Sequence, residues 1–338
     1  NLNLTNTIIR GDLFMKKINI LCLLLVAFSL VLSGCAGQEN SKITVVLDWT
    51  PNTNHTGLYV ALDQGYFQNE GLDVEIIQPQ EGTAEQIVAA GSAQFGVSYQ
   101  ESVIFARSEG IPVVSLSAVI QHNTSGFASL KEKGIVTPKD FENKKYGGWG
   151  SPLEEATLRY LIEKDGGDPE KLQIITTGDA DFFQTSATGE IDYAWIFEGW
   201  AGIEAKLKGM ELNYIDLGEV AEVFDYYTPV IVTSEEVIIK ENDMVKKFMK
   251  AVEKGYQYSM DNPEGVSKIL LKHAPELDNE LVLESQKFLA SKYQDDAPYW
   301  GMQKQEVWER YMNWLFENGF IAEKVDVTKA YTNEFLNK

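Results

Sequence analysis

The chain has 338 residues, a formal net charge of −21 and a hydrophobic fraction of 44%, with 16 Phe, 15 Tyr and 7 Trp. That length suffices for two domains with sizeable cores, and the aromatic content excludes a disordered chain. The acidic balance argues against nucleic acid as a partner and against adsorption to anionic lipid.

In chain order, the first feature is Met15-Lys16-Lys17 followed by INILCLLLVAFSLVL, an uncharged run of 15 residues ending in Ser33-Gly34-Cys35. A positive start, a short apolar stretch and small residues predict a signal peptide over 15–34; the run is short for a membrane span. LSGC resembles the bacterial lipobox, which implies cleavage before Cys35 and a lipid anchor on its sulfur. Residues 1–14 are expected to be upstream extension and 35–42 a lipidated tether. Loss of residues 1–34 removes Arg10, Lys16, Lys17 and Asp12, so −21 becomes −23. With Cys22 gone and Cys35 acylated, no disulfide, thiol nucleophile or Cys-metal site is expected.

From Ile43 onward, short apolar runs alternate with helical patterns. The spacing predicts strands over Ile43–Leu47, Asp73–Gln78, Phe95–Ser98 and Val113–Val119, with helices over Gly57–Phe67, Thr83–Ala90 and Ser102–Glu109. From about Gly126 the pattern restarts. KKYGGWGSPLEEATLRYLIEKDG gives a strand, a glycine-rich turn and a helix opening near Ser151-Pro152. LQIITT, Tyr193–Phe197 and LNYID are further strands, Phe182–Thr188 is a helix, and Thr228–Ser234 is a strand returning to the first lobe. A mostly helical tail follows. Such alternation predicts parallel, doubly wound sheets. Ala84–Gln100 aligns without a gap on Phe182–Glu198 at an offset of 98, which suits two related lobes.

Enzymatic motifs are absent from the sequence. The three His are far apart, and there is no HExxH, GxSxG, P-loop or GxGxxG. Gly147-Gly148-Trp149-Gly150 opens a helix that begins with acidic residues, which disfavours a phosphate ligand. What remains is a set of mostly aromatic and acidic residues at predicted strand ends: Asp48, Trp49 and Asn52; Tyr99, Gln100 and Glu101; Trp149; Trp195, Phe197, Glu198 and Trp200; Tyr226 and Tyr227. If they line one cleft, they stack a flat ring and accept from its amino groups, since a buried carboxylate needs a donor-rich partner. Core packing is the alternative for any one of these aromatics.

LDWTPNTNHTGLYVA, GLDVEI, GSAQFGVSYQE, KKYGGWG and EIDYAWIFEGW followed by DYYTPVIV resemble the NMT1/THI5-like family, from about Ile43 to the C-terminus. Within it the chain looks most like ThiY-type lipoproteins. The resemblance implies a type II periplasmic-binding-protein fold, α/β in two doubly wound lobes joined by two crossovers, with lobe 1 over 43–127 and 228–338 and lobe 2 over 128–227. It implies delivery of a thiamin-precursor aminopyrimidine to the permease and ATPase of an ABC importer, with riboflavin or a sulfonate/nitrate-type ligand as alternatives. Asp48, Trp49 and Asn52 match the family's first cleft motif and Glu198 its second-lobe acidic position; Glu101, Trp149, Trp195 and Tyr227 complete the expected site. Fungal members that synthesise the pyrimidine carry a donor His where this chain has Ser102, and a cysteine-rich run where it has Phe224–Thr228. The expectation is therefore a monomeric binding protein without cofactor or metal, anchored through Cys35 on the outer face of a bacterial membrane.

Overall fold

The structure is a computed structural model that describes residues 42–79, 81–178 and 180–337. The expected signal peptide, Cys35 and the tether up to Ser41 lie outside the described residues. Among those described, no helix is long and apolar enough to cross a membrane.

Among the described residues, ten strands form two five-stranded sheets. β1 (Lys42–Val46), β2 (Asp73–Ile77), β3 (Phe95–Ser98), β4 (Val113–Ala118) and β10 (Val230–Ser234) run in the order β2-β1-β3-β10-β4. β5 (Ser125–Leu130), β6 (Lys145–Gly148), β7 (Gln173–Thr176), β8 (Tyr193–Phe197) and β9 (Leu212–Asp216) run β7-β6-β8-β5-β9. β1 illustrates why these segments are strands. Ile43 and Val45 point into one apolar cluster and Val46 into another, so β-branched residues are buried on both faces.

The sheets are not wholly parallel, which corrects the sequence expectation. β10 is antiparallel to both β3 and β4, and β5 is antiparallel to both β8 and β9. Each is the strand that arrives from the other sheet, so no βαβ return within one sheet holds it parallel to its neighbours. β5 itself was not legible as a strand, because SGFASL is rich in small residues. Gly126 is required there, since a Cβ would meet the Ile215 carbonyl on β9. The single helix expected over Gly57–Phe67 is two, Thr56–Asp63 and Tyr66–Asn69, broken where Gly65 takes a φ of 69°.

The internal echo has a structural counterpart. Helix Ala84–Ala89 and helix Phe182–Ala187 each run through a left-handed glycine (Gly91 and Gly189) into the central strand of a sheet, β3 or β8. The C-terminal helices complete the core. Helix Asn242–Asp261 lies on Thr56–Asp63, and Trp300 stacks on Tyr256 at 4.4 Å. Helix Gln305–Glu317 reaches both sheets' surroundings: Trp314 packs edge-on against Phe224, and Gln100 Nε2 donates to the Val307 carbonyl. Truncating a buried Trp of this kind costs about 3–5 kcal/mol.

Candidate functional site

The carboxyl ends of the two sheets face a cavity of about 500 Å³. Its walls carry Asp48 and Trp49 after β1, Tyr99 after β3, Gly148 and Trp149 at the end of β6, and Trp195 and Phe197 on β8. Ile120 and Thr124 on the first crossover and Thr228-Pro229 on the second close it from behind. Strand ends at a switch in sheet order are where open α/β sheets leave a crevice.

Two indoles dominate the walls. β1 and β6 hold the same second place in their sheets, and each is followed by a Trp that leaves more than half its surface uncovered: Trp49 is 57% and Trp149 53% exposed. Indoles this open are not core residues, and both line the same cavity. Trp195 differs, since one side packs against Phe127 at 5.4 Å while the residue still borders the cavity.

Asp48 is the one charged side chain among the described residues of the lining, which hold no Lys or Arg. Its side chain is 6% exposed, and Oδ1 lies 2.6 Å from His55 Nε2. Burial alone would push the carboxyl up. The His55 ring and the Tyr99 hydroxyl outweigh it and hold the group below its usual range, so Asp48 stays ionised. Tyr99, buried beside Asp48, is pushed well above the usual phenol range.

Asn52 also lines the cavity, but most of its amide is spent locally. Oδ1 accepts the Asn54 N–H at 2.9 Å and Nδ2 donates to the Thr50 carbonyl at 3.0 Å, capping the short turn Thr53–His55. One amide hydrogen stays uncommitted.

Three expected residues stand outside the lining. Glu198 opens the turn Glu198–Gly202; its neighbours Phe197 and Gly199 line the cavity, while its carboxylate lies 4.0 Å from Lys206 Nζ. Glu101, in the first turn of helix Gln100–Ser108, faces Tyr226, Tyr311 and Tyr99, and burial pushes it up to about 8. Tyr227 is a clamp. Its N–H donates to Gln100 Oε1 at 2.9 Å, its carbonyl accepts the Gln100 N–H at 3.0 Å, and its hydroxyl accepts the Lys304 N–H at 2.9 Å. Sequence reasoning missed His55 and Leu289. For His55 the signal was present, as the third residue after the capping Asn52.

Two sheets of matching strand order, joined by two crossovers around one cleft, define a type II periplasmic-binding-protein fold. The alkanesulfonate-binding protein SsuA from Xanthomonas axonopodis pv. citri, solved bound to MOPS, shares it with a TM-score of 0.66 over 88% of this chain and 99% of that one, at 14% identity. The description NMT1/THI5 like matches residues 52–266, and the chain belongs to that family. A formylaminopyrimidine-binding protein from Halalkalibacterium halodurans is 30% identical over 94% of this chain and 99% of its own length. A 4-amino-5-hydroxymethyl-2-methylpyrimidine phosphate synthase from Legionella pneumophila is 23% identical over 88% of this chain and 92% of its own. The relatives of this chain thus include proteins named as binders and proteins named as synthases.

Proposed function

We propose that this chain is the extracytoplasmic, Cys35-anchored binding protein of an ABC importer and that its ligand is a thiamin-precursor aminopyrimidine. The observation that carries the reading is an ionised Asp48 lining the same cleft as two largely uncovered indoles, with no Lys or Arg among the described residues of that lining. Trp49 and Trp149 sandwich the ring, and Asp48 accepts from its amino group. Asn52 offers its remaining amide hydrogen to a ring nitrogen. Glu198, whose one ion pair among the described residues is a loose contact with Lys206, turns to the ligand as the second acceptor when the lobes close. A sulfonate or nitrate would find no cation in this lining.

Binding rather than synthesis is favoured by Ser102, where the resemblance implies a donor His in fungal synthases, and by Phe224–Thr228, which contains no Cys. The test is a thermal-shift and tryptophan-fluorescence titration with formylaminopyrimidine, hydroxymethylpyrimidine, thiamin, riboflavin, taurine and nitrate. Saturation at about a hundred times Kd stabilises the native state by roughly 2.7 kcal/mol, a shift read easily. Pyrimidine recovered unchanged, with binding weakened about a hundredfold in Asp48→Asn and about tenfold in Glu198→Gln, is the expected result. Response to riboflavin or taurine alone would retire the pyrimidine; product formed from pyridoxal phosphate would retire the binding protein.

A further inference from the structure

His55 contributes no surface to the cavity, and its side chain is 0% exposed, yet both ring nitrogens are committed. Nδ1 accepts the backbone N–H of Asn52 at 3.2 Å, and Nε2 lies 2.6 Å from Asp48 Oδ1. A ring nitrogen that accepts an N–H carries no proton. The proton therefore sits on Nε2 and is donated to Asp48. The bonding assigns this tautomer, and it makes the ring a one-way link from the Asn52 turn to the carboxylate.

The frame around the ring is fixed from three further elements. Tyr293 Oη donates to the Thr53 carbonyl at 2.6 Å, and Tyr256 Oη to the Asn54 carbonyl at 2.7 Å. Thr53 Oγ1 shares a hydrogen bond of 2.6 Å with Ser285 on helix Asn279–Ala290. Loop 48–55 is thus held at each of its last three residues, and His55 carries that hold to Asp48.

We propose that His55 is a positioning residue for the ligand. It fixes the orientation of the Asp48 carboxylate, keeps it ionised toward the cleft, and through Asn52 sets the loop that presents Trp49. The groups facing Asp48 are His55 from its own segment, Tyr99 at the end of β3, and Tyr256 on helix Asn242–Asp261, with Glu101 and Glu85 behind Tyr99. None of these is a cation, and of them only Tyr99 also gives Asp48 a side-chain hydrogen bond. Without the ring, Asp48 keeps the Tyr99 hydroxyl and its own backbone N–H against the cost of burial. The inference rests on the cleft being the ligand site, but two of its readouts need no ligand.

The first readout is the ¹⁵N chemical shifts of the His55 ring in the unaltered protein. A proton on Nε2 and a bare Nδ1 are expected; a proton on Nδ1 overturns the proposal. The second is the ¹³C titration of the Asp48 carboxyl. Its midpoint moves upward in His55→Leu and returns toward wild type in His55→Gln, whose amide can donate in place of Nε2. A midpoint unmoved in His55→Leu overturns the proposal. The third is the Kd of 4-amino-5-hydroxymethyl-2-methylpyrimidine from pH 5 to 8. Wild type is expected to be flat, and His55→Leu weaker by about tenfold to a hundredfold at pH 7 and weakening further toward acid. His55→Gln is expected within roughly fivefold of wild type. Wild-type affinity and a flat profile in a folded His55→Leu would also overturn the role. If wild type itself ignores pyrimidines, the functional reading fails, and the ring and carboxyl readouts still decide the role of His55. If His55→Leu does not fold, the ring shifts decide alone.

Discussion

Asp225 on the second crossover accepts two hydrogen bonds from the first: His122 Nδ1 lies 2.7 Å from Oδ2, and the Asn123 backbone N–H donates to Oδ1 at 3.0 Å. Asn123 Nδ2 returns the link by donating to the Phe224 carbonyl at 2.9 Å. One carboxylate therefore ties together the two connections between the sheets.

His122 also stands 3.2 Å from Asp296, and the bond to Asp225 is the main cause that pushes it up to about 9. The sign follows from linkage. A His whose folded value lies above its unfolded value of 6.5 contributes stability in full below about 6.5 and loses it as pH rises through about 9. The ring is 42% exposed, so solvent keeps the effect small. His122→Gln is expected to lower Tm by roughly 1–3 °C at pH 6 and to match wild type at pH 10. Calorimetry at pH 6, 8 and 10 checks this; a difference independent of pH would leave the ring with a packing role alone.

Trp49 and Trp149 separate binding from stability. Each leaves more than half its surface uncovered, so truncation removes little packing from the folded state. Trp49→Ala and Trp149→Ala are each expected to change Tm by less than about 2 °C while weakening pyrimidine binding about tenfold to a hundredfold. Trp308→Ala is the contrast, since that residue is fully buried: it should lower stability by about 3–5 kcal/mol with no direct contact to the cleft. A Trp49→Ala protein that binds as tightly as wild type would remove stacking from the account.

Much of this was legible before the fold was known, for physical reasons that differ by element. Strands buried on both faces, such as Ile43–Val46, announce themselves by β-branched runs, and the echo between Ala84–Gln100 and Phe182–Glu198 marked the two central strands. Strand β5 was hidden because Gly126 and its small neighbours answer to the β9 backbone, not to a local propensity. Asp48, Trp49 and Trp149 could be placed at one crevice from strand ends alone. Tyr227 could not, because its burial depends on Gln100 and Lys304, far away in sequence. Nor could the direction of the Glu198 and Glu101 carboxylates, which is set by the turn and the tyrosines around each.

The position of loop 48–55 depends on a contact that no side-chain reading suggests. Helices Thr56–Asp63 and Asn242–Asp261 meet backbone to backbone, so a Cβ at Gly255 would strike the Gly57 carbonyl and one at Gly57 would strike the Tyr256 ring. Gly255→Ala must push the long helix away from the start of the short one. A stability loss of about 1–3 kcal/mol is expected, in denaturant melts, together with weaker ligand binding because Tyr256 no longer reaches the Asn54 carbonyl. An alanine tolerated with unchanged midpoint and affinity would show that the helices can separate without disturbing the loop.

Glu101 supplies the clearest pH signature. Part of its side chain reaches solvent, but Oε2 is enclosed without a hydrogen-bond partner, among Tyr99, Tyr226 and Tyr311. Burial, with a smaller push from Glu85, carries the carboxyl up to about 8. An acid with a folded value above its unfolded 4.5 binds its proton more tightly when folded, so stability falls as pH rises from about 4.5 to about 8 and then levels. Glu101→Gln keeps the shape and has no proton to lose. At pH 5 the two proteins should be of similar stability. At pH 8 the variant should be more stable, by on the order of 1–3 kcal/mol once solvent access to the side chain is allowed for. Urea melts at pH 5, 6.5 and 8 measure the difference, and a variant less stable than wild type at pH 8 would mean that the ionised carboxylate has found a partner inside.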